Sequence, residues 1–108
     1  MEIKKITLKT IKENGGATLN CQGLAVSYKT GYQVSERDVA ILPTYKLTLK
    51  FIKSLMSPNK FVGVWIESGR AYIDISEHIA AKRRALDLGK ERNQISIYDW
   101  KNQNVVYC

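Results

Sequence analysis

Phe61-Val62-Gly63-Val64-Trp65-Ile66-Glu67-Ser68-Gly69-Arg70-Ala71-Tyr72-Ile73-Asp74-Ile75 decides how the chain is read. Val62, Val64 and Ile66 alternate with Phe61, Gly63 and Trp65, the period of a strand with two distinct faces. Ser68-Gly69 is a two-residue turn signal between apolar runs. Tyr72 and Asp74 then face opposite to Ile73 and Ile75. The stretch predicts a β-hairpin, and a hairpin needs more strands or a helix to cover it.

Upstream, the pattern predicts a helix over about Thr44 to Ser57. Leu49, Ile52 and Met56 form one stripe with Phe51 and Leu55 beside it, and Ser57-Pro58-Asn59 ends it. Its first part, Lys46-Leu47-Thr48-Leu49-Lys50-Phe51-Ile52-Lys53, matches Lys5-Ile6-Thr7-Leu8-Lys9-Thr10-Ile11-Lys12 at six of eight positions. Two readings stay open: an α-β-β repeat sharing one sheet, or coincidence in a chain rich in Lys, Ile and Leu. The first copy predicts a short helix from Thr7 or earlier, stopped by Asn14-Gly15-Gly16. Ile6, Leu8 and Thr10 also alternate, so a strand over 3–12 competes; the double glycine favours the helix. Ala17 to Cys21, Leu24 to Lys29 and Tyr32 to Val34 read as extended segments with turns at Gln22-Gly23 and Thr30-Gly31. Ser35-Glu36-Arg37-Asp38 has the letters of a capping box, with Pro43 limiting any helix.

Downstream, a third helix is predicted from about Glu77 to Asn93, with Ser76 as N-cap and Ile79, Ala85, Leu86 and Leu88 on its core side. Ile95 to Asp99 and Val105 to Tyr107 form a last hairpin around Lys101-Asn102-Gln103-Asn104. The expectation is an α+β domain, three helices packed on an antiparallel or mixed sheet of β-hairpins. One domain spans residues 1–108, with repeat units 3–42 and 44–76 and a C-terminal helix and hairpin over 77–108.

Chemistry is sparse. No zinc-protease, phosphate-loop, nucleophile-elbow or dinucleotide motif occurs, so no enzyme activity, cofactor or metal is expected. His78 is the only histidine, placed in the first turn of the third helix. Asp74, Glu77 and Asp99 could cluster near strand and helix ends, but the pattern is a poor match to a metal nuclease. Cys21 and Cys108 do not form a C-x-x-C pair; a partly buried Cys21 and a terminal Cys108, both reduced, are expected. The aromatic residues are expected to pack under the helices rather than to form a stacking platform for single strands. No apolar run is long enough for a membrane span, and Met1-Glu2-Ile3-Lys4-Lys5 lacks the features of a signal peptide. A cytoplasmic protein is expected.

Charge is the strongest surface signal. Seventeen Lys and Arg against ten Asp and Glu give +7, which favours polyanionic partners and argues against a DNA mimic. On one continuous helix Lys46, Lys50 and Lys53 share a face, and no acid lies between Lys46 and Lys60. Lys60 extends that run. Lys82, Arg83 and Arg84 form a second cluster, partly offset by Asp87. These seven residues are the predicted binding set.

Two stretches carry a resemblance. Ile11-Lys12-Glu13-Asn14-Gly15-Gly16-Ala17-Thr18-Leu19 is followed by Thr30-Gly31-Tyr32-Gln33-Val34-Ser35. Val62-Gly63-Val64-Trp65 leads through Tyr72-Ile73-Asp74-Ile75-Ser76 to Ala85-Leu86-Asp87-Leu88-Gly89-Lys90-Glu91-Arg92-Asn93-Gln94-Ile95-Ser96-Ile97-Tyr98-Asp99. Together they resemble a family of small accessory proteins carried by bacteriophages, prophages and conjugative elements. The resemblance implies a mobile-element protein in a bacterial host cytoplasm and carries over no catalytic residues. The expected function is stoichiometric binding of a host protein or ribonucleoprotein, such as a CRISPR nuclease or another defence complex. The alternative is a DNA- or RNA-binding accessory protein with no protein target.

Overall fold

The computed structural model describes all of residues 1–108. Its strands are β1 (Glu2–Lys4), β2 (Gly16–Leu19), β3 (Ala25–Ser27), β4 (Tyr32–Pro43), β5 (Phe61–Glu67), β6 (Arg70–Ile79), β7 (Ser96–Asp99) and β8 (Asn104–Tyr107). The helices are α1 (Leu8–Asn14), α2 (Leu49–Ser54) and α3 (Lys82–Glu91). The strands form one antiparallel sheet in the order β1-β3-β2-β5-β6-β4-β7-β8.

This corrects the expected architecture. The chain is 44% strand and 24% helix, a curled antiparallel half-barrel with three short helices. It is β-rich, not three helices packed on a sheet of hairpins. Two local signals lost to long-range pairing. Ser35-Glu36-Arg37-Asp38 is not a helix start but the middle of β4, which pairs with β6 from Tyr32↔Ile79 to Pro43↔Arg70. Ser76 caps no helix; it is buried in β6, and its Oγ accepts from Gln33 Nε2 at 2.9 Å. The third helix therefore begins at Lys82. The second shrinks to Leu49–Ser54, because Leu47 and Thr48 are extended and separate it from a single 3-10 turn at Thr44–Lys46. Register shifts in β4 between Ser35 and Arg37, and between Asp38 and Ala40, are bulges, which bend a strand and add to its twist.

Elsewhere local chemistry prevails. Ser68 and Gly69 both have positive φ, 52° and 76°, as the tight turn joining β5 to β6 requires. Gly15, in the left-handed conformation, ends α1. Thr7 caps α1 by accepting the Thr10 N–H at 3.2 Å, and Thr48 caps α2 by accepting the Phe51 N–H at 3.1 Å. Ile11 and Ile52, four residues after those caps, are both fully enclosed.

The sheet order has a matching symmetry. Strand, helix, strand, strand gives the order β1-β3-β2 on one side and β4-β6-β5 on the other, joined through the antiparallel β2–β5 pair. In this arrangement β4 stands where β1 does, ahead of its helix. The strand pair β7–β8 extends the sheet beyond β4.

All three helices cover one face. Ile11 and Ile52 pack with Leu19, Val62, Val64, Ala71 and Ile73. Ala85 of α3 packs with Val34 and Ile97. Val34 lies opposite Glu77 in register, on the same side as Ile73 and Ile75, so the two clusters share a face. Each fully buried Ile contributes about 2–3 kcal/mol by leaving water.

Candidate functional site

The predicted cations do not form one row. Lys50 and Lys53 are exposed on α2, without ion-pair partners. Lys46 is exposed and unpaired but lies on the 3-10 turn, so the spacing expected from one continuous helix does not hold. Lys53 borders a shallow hollow of about 200 Å³ that Lys5 flanks and Leu19, Leu49 and Met56 help to line.

Lys60 is committed elsewhere. Its ammonium is 2.9 Å from Glu36 Oε1 and 3.4 Å from Glu77 Oε1, and Glu77 also takes a hydrogen bond from Arg92 at the end of α3. The hydrogen bond to Glu36 raises the Lys60 pKa against the opposing effect of burial. Burial pushes the Glu77 carboxyl up, but Arg92 and Lys60 together hold it below its ordinary value. This cluster ties β4, β6 and α3 together. Glu77 reaches Lys60 through the β5–β6 register, which sets Phe61 opposite Ser76, whereas Glu36 arrives on β4 and no local pattern shows it.

Lys82, Arg83 and Arg84 occupy the first turn of α3, all exposed, with no acid in that turn and no side-chain cap. Arg83 reaches Asp87 at 3.6 Å. Positive charge at a helix N-terminus opposes the helix dipole, which favours anions there. Asp99 is nearby: the Asn102 amide, the Asn102 and Lys101 N–H groups and the Lys82 charge hold its carboxyl below the usual range.

Asp74, Glu77 and Asp99 do not cluster. Alternation along β6 and register across the sheet put Glu77 and Asp99 on the helix side and Asp74 on the other. His78 is on a strand, not in a helical turn. Its ring stacks on Tyr28 with centroids 3.6 Å apart, and its Nε2 lies 2.9 Å from the Thr30 carbonyl oxygen. Both cysteines are exposed and free, Cys21 included.

The aromatic residues are the main surprise, because most of them avoid the helices. At one end of the helix-free face, Tyr28 covers His78 and meets Phe61 edge-on at 6.0 Å. Trp100 packs edge-on against Tyr98 at 5.0 Å and donates through Nε1 to Gln33. That end is closed. The other end is open: Trp65 is 61% exposed, its direct cross-strand partner Tyr72 is 38% exposed, and Ile41, opposite Tyr72 on β4, is 64% exposed.

The next row inward is polar. Gly63, Asp74 and Asp38 lie opposite one another on β5, β6 and β4. Burial pushes the Asp74 carboxyl above the ordinary range, and the Asp38 charge adds to it. Neither aspartate has an ion-pair partner. The sequence showed the alternation that sends Trp65, Tyr72 and Asp74 to fixed faces, but not which face the helices cover.

No protein-family model, curated protein or solved structure matches the chain. No helix is long and apolar enough to cross a membrane.

Proposed function

We propose that the chain is a mobile-element accessory protein that acts by stoichiometric binding to a host factor, with a CRISPR nuclease or another nucleic-acid-loaded defence complex as the target class. The observation that carries this is the side on which the unpaired cations project. Lys50 and Lys53 stand on α2, and Lys82 and Arg84 on α3, and both helices pack on the same face of the sheet. Lys46 adds to this set; Lys60 drops out of it. An anionic partner at the first turn of α3 also relieves the repulsion between three cations and the helix dipole. Guide RNA, target DNA or an acidic protein patch each offers that chemistry, and long-range attraction mainly raises the association rate. The resemblance to phage and conjugative-element proteins supports the choice of target class.

The test is cleavage of target DNA by a guide-loaded CRISPR nuclease with the protein added at increasing molar ratio. Inhibition complete near one equivalent, and lost in the Lys46→Glu, Lys50→Glu, Lys53→Glu triple variant, is the expected result. Absence of inhibition, or inhibition unchanged by charge reversal, overturns the proposal. Steeply salt-dependent binding to free duplex DNA, single-stranded DNA or RNA without inhibition instead marks a nucleic-acid accessory protein.

A further inference from the structure

The helix-free face differs chemically from the rest of this basic chain. Its open end places Trp65, Tyr72 and Ile41 side by side in one cross-strand row. The row beside it places Asp74 against Asp38, with no lysine among these positions. Directly opposed side chains on neighbouring strands have Cβ atoms about 5 Å apart, so the two carboxylates repel. Arg70, which shares this face by alternation along β6, stands opposite Glu67 at the hairpin end. Gly63 lies under the Asp74 side chain: a Cβ there would fall 2.0 Å from Asp74 Oδ1. The missing side chain gives the carboxylate its place beside the exposed rings.

We propose that this open end is a docking surface for a protein that presents an arginine, whose guanidinium lies between the Asp38 and Asp74 carboxylates and stacks on Trp65 or Tyr72. Charge complementarity selects the occupant. A phosphate backbone is repelled by both aspartates, which sets this face apart from the lysine-bearing side. A guanidinium neutralises the carboxylate pair, offers planar paired donors, and stacks on an aromatic face; an ammonium supplies the charge without the plane. The exposed Trp65–Tyr72–Ile41 row supplies the apolar contact around such an anchor. The surface is independent of the lysine set, so either can fail without the other.

The test is a two-dimensional amide NMR titration of the full chain with a short arginine-containing peptide. The control peptides replace arginine with lysine or glutamate, and a soluble cello-oligosaccharide tests sugar stacking. The expected result is a saturable shift of the Trp65 indole resonance with the arginine peptide, at least tenfold weaker with lysine and absent with glutamate. Asp38→Asn and Asp74→Asn each weaken it at least tenfold, and Trp65→Ala, read at the Tyr72 backbone amide across the strand pair, weakens binding as much, while amide dispersion stays native. No Trp65 shift with the arginine peptide overturns the proposal, as does equal response to glutamate or a shift produced by the sugar instead. Sedimentation covers the second-copy alternative: a monomer–dimer equilibrium abolished by Asp74→Asn assigns the face to self-association and also overturns it.

Discussion

Asp38 and Asp74 face each other across β4 and β6 on the side of the sheet that carries no helix, and neither has a cation for a partner. Directly opposed like charges cost a sheet about 0.2–1 kcal/mol. Asp74→Asn keeps the shape and removes one charge, so it raises the melting temperature at pH 7 by a few degrees. The sign with pH follows from the raised carboxyl of Asp74. A folded-state pKa above the unfolded one means that folding is penalised once the group ionises. The wild type gains relative stability as pH falls through that raised value. The advantage of Asp74→Asn therefore shrinks in acid, and calorimetry at pH 7 and pH 4 measures the difference. A variant no more stable than the wild type at pH 7 refutes the account of a repelling pair.

Lys60 gives the opposite result from the exposed lysines. It stands between Glu36 and Glu77, so Lys60→Glu puts three half-buried carboxylates together. The expected loss is about 2–4 kcal/mol in denaturant unfolding. Lys50→Glu and Lys53→Glu each change stability by less than about 0.5 kcal/mol. A binding defect in Lys60→Glu consequently reports a damaged fold and says nothing about an anion site.

Glu77 sets an acid limit on the same cluster. Its carboxyl is held below its ordinary value despite burial. A depressed folded-state pKa contributes stability that is present above the unfolded pKa, near 4.3, and lost as pH falls through the lower folded value. Glu77→Gln removes this dependence along with about 1–3 kcal/mol of hydrogen bonding to Lys60 and Arg92. Urea midpoints measured from pH 6 down to pH 2.5 fall more steeply in the wild type than in the variant.

What could be read from the sequence divides by range. Thr7, Thr48, Gly15 and the Ser68-Gly69 turn act on their neighbours, and the β5–β6 hairpin and the α1 boundaries follow from them. Ser35-Glu36-Arg37-Asp38 also has a local meaning, but a partner strand starting at Arg70 overrides it, as it does the cap expected at Ser76. The lysines were visible as charges. Their freedom was not, because Glu36 lies 24 residues from Lys60 and reaches it only through the β4–β6 pairing, while Glu77 comes alongside through the β5–β6 register that sets Phe61 opposite Ser76. The Trp65–Tyr72 pair was placed on a face by alternation, but its exposure depends on all three helices choosing the other side.

The matched caps predict matched losses. Thr7→Ala and Thr48→Ala each remove a side-chain acceptor for one otherwise unpaired N–H at a helix start, at about 1 kcal/mol apiece. The two hydroxyls share no hydrogen-bond partner, so the double variant loses about the sum. A double variant no worse than either single one shows that one helix is dispensable to the cooperative unit, as thermal unfolding followed by far-ultraviolet circular dichroism detects.

Gly63 and Asp74 should be coupled, and the coupling has a sign. The three atoms nearest a methyl group at Gly63 all belong to the Asp74 carboxylate, so Gly63→Ala forces the side chain aside. The carboxylate is the end of a movable side chain rather than backbone, which keeps the cost near 1 kcal/mol. Asp74→Ala removes the obstruction and, with it, the repulsion from Asp38. Gly63→Ala is therefore destabilising in the wild-type background. With Asp74→Ala already present it is neutral or slightly stabilising, since alanine also loses less conformational freedom on folding than glycine. A double-mutant cycle from urea unfolding yields the coupling. Additive losses instead show that Gly63 is required for its backbone and not for the space it leaves to Asp74.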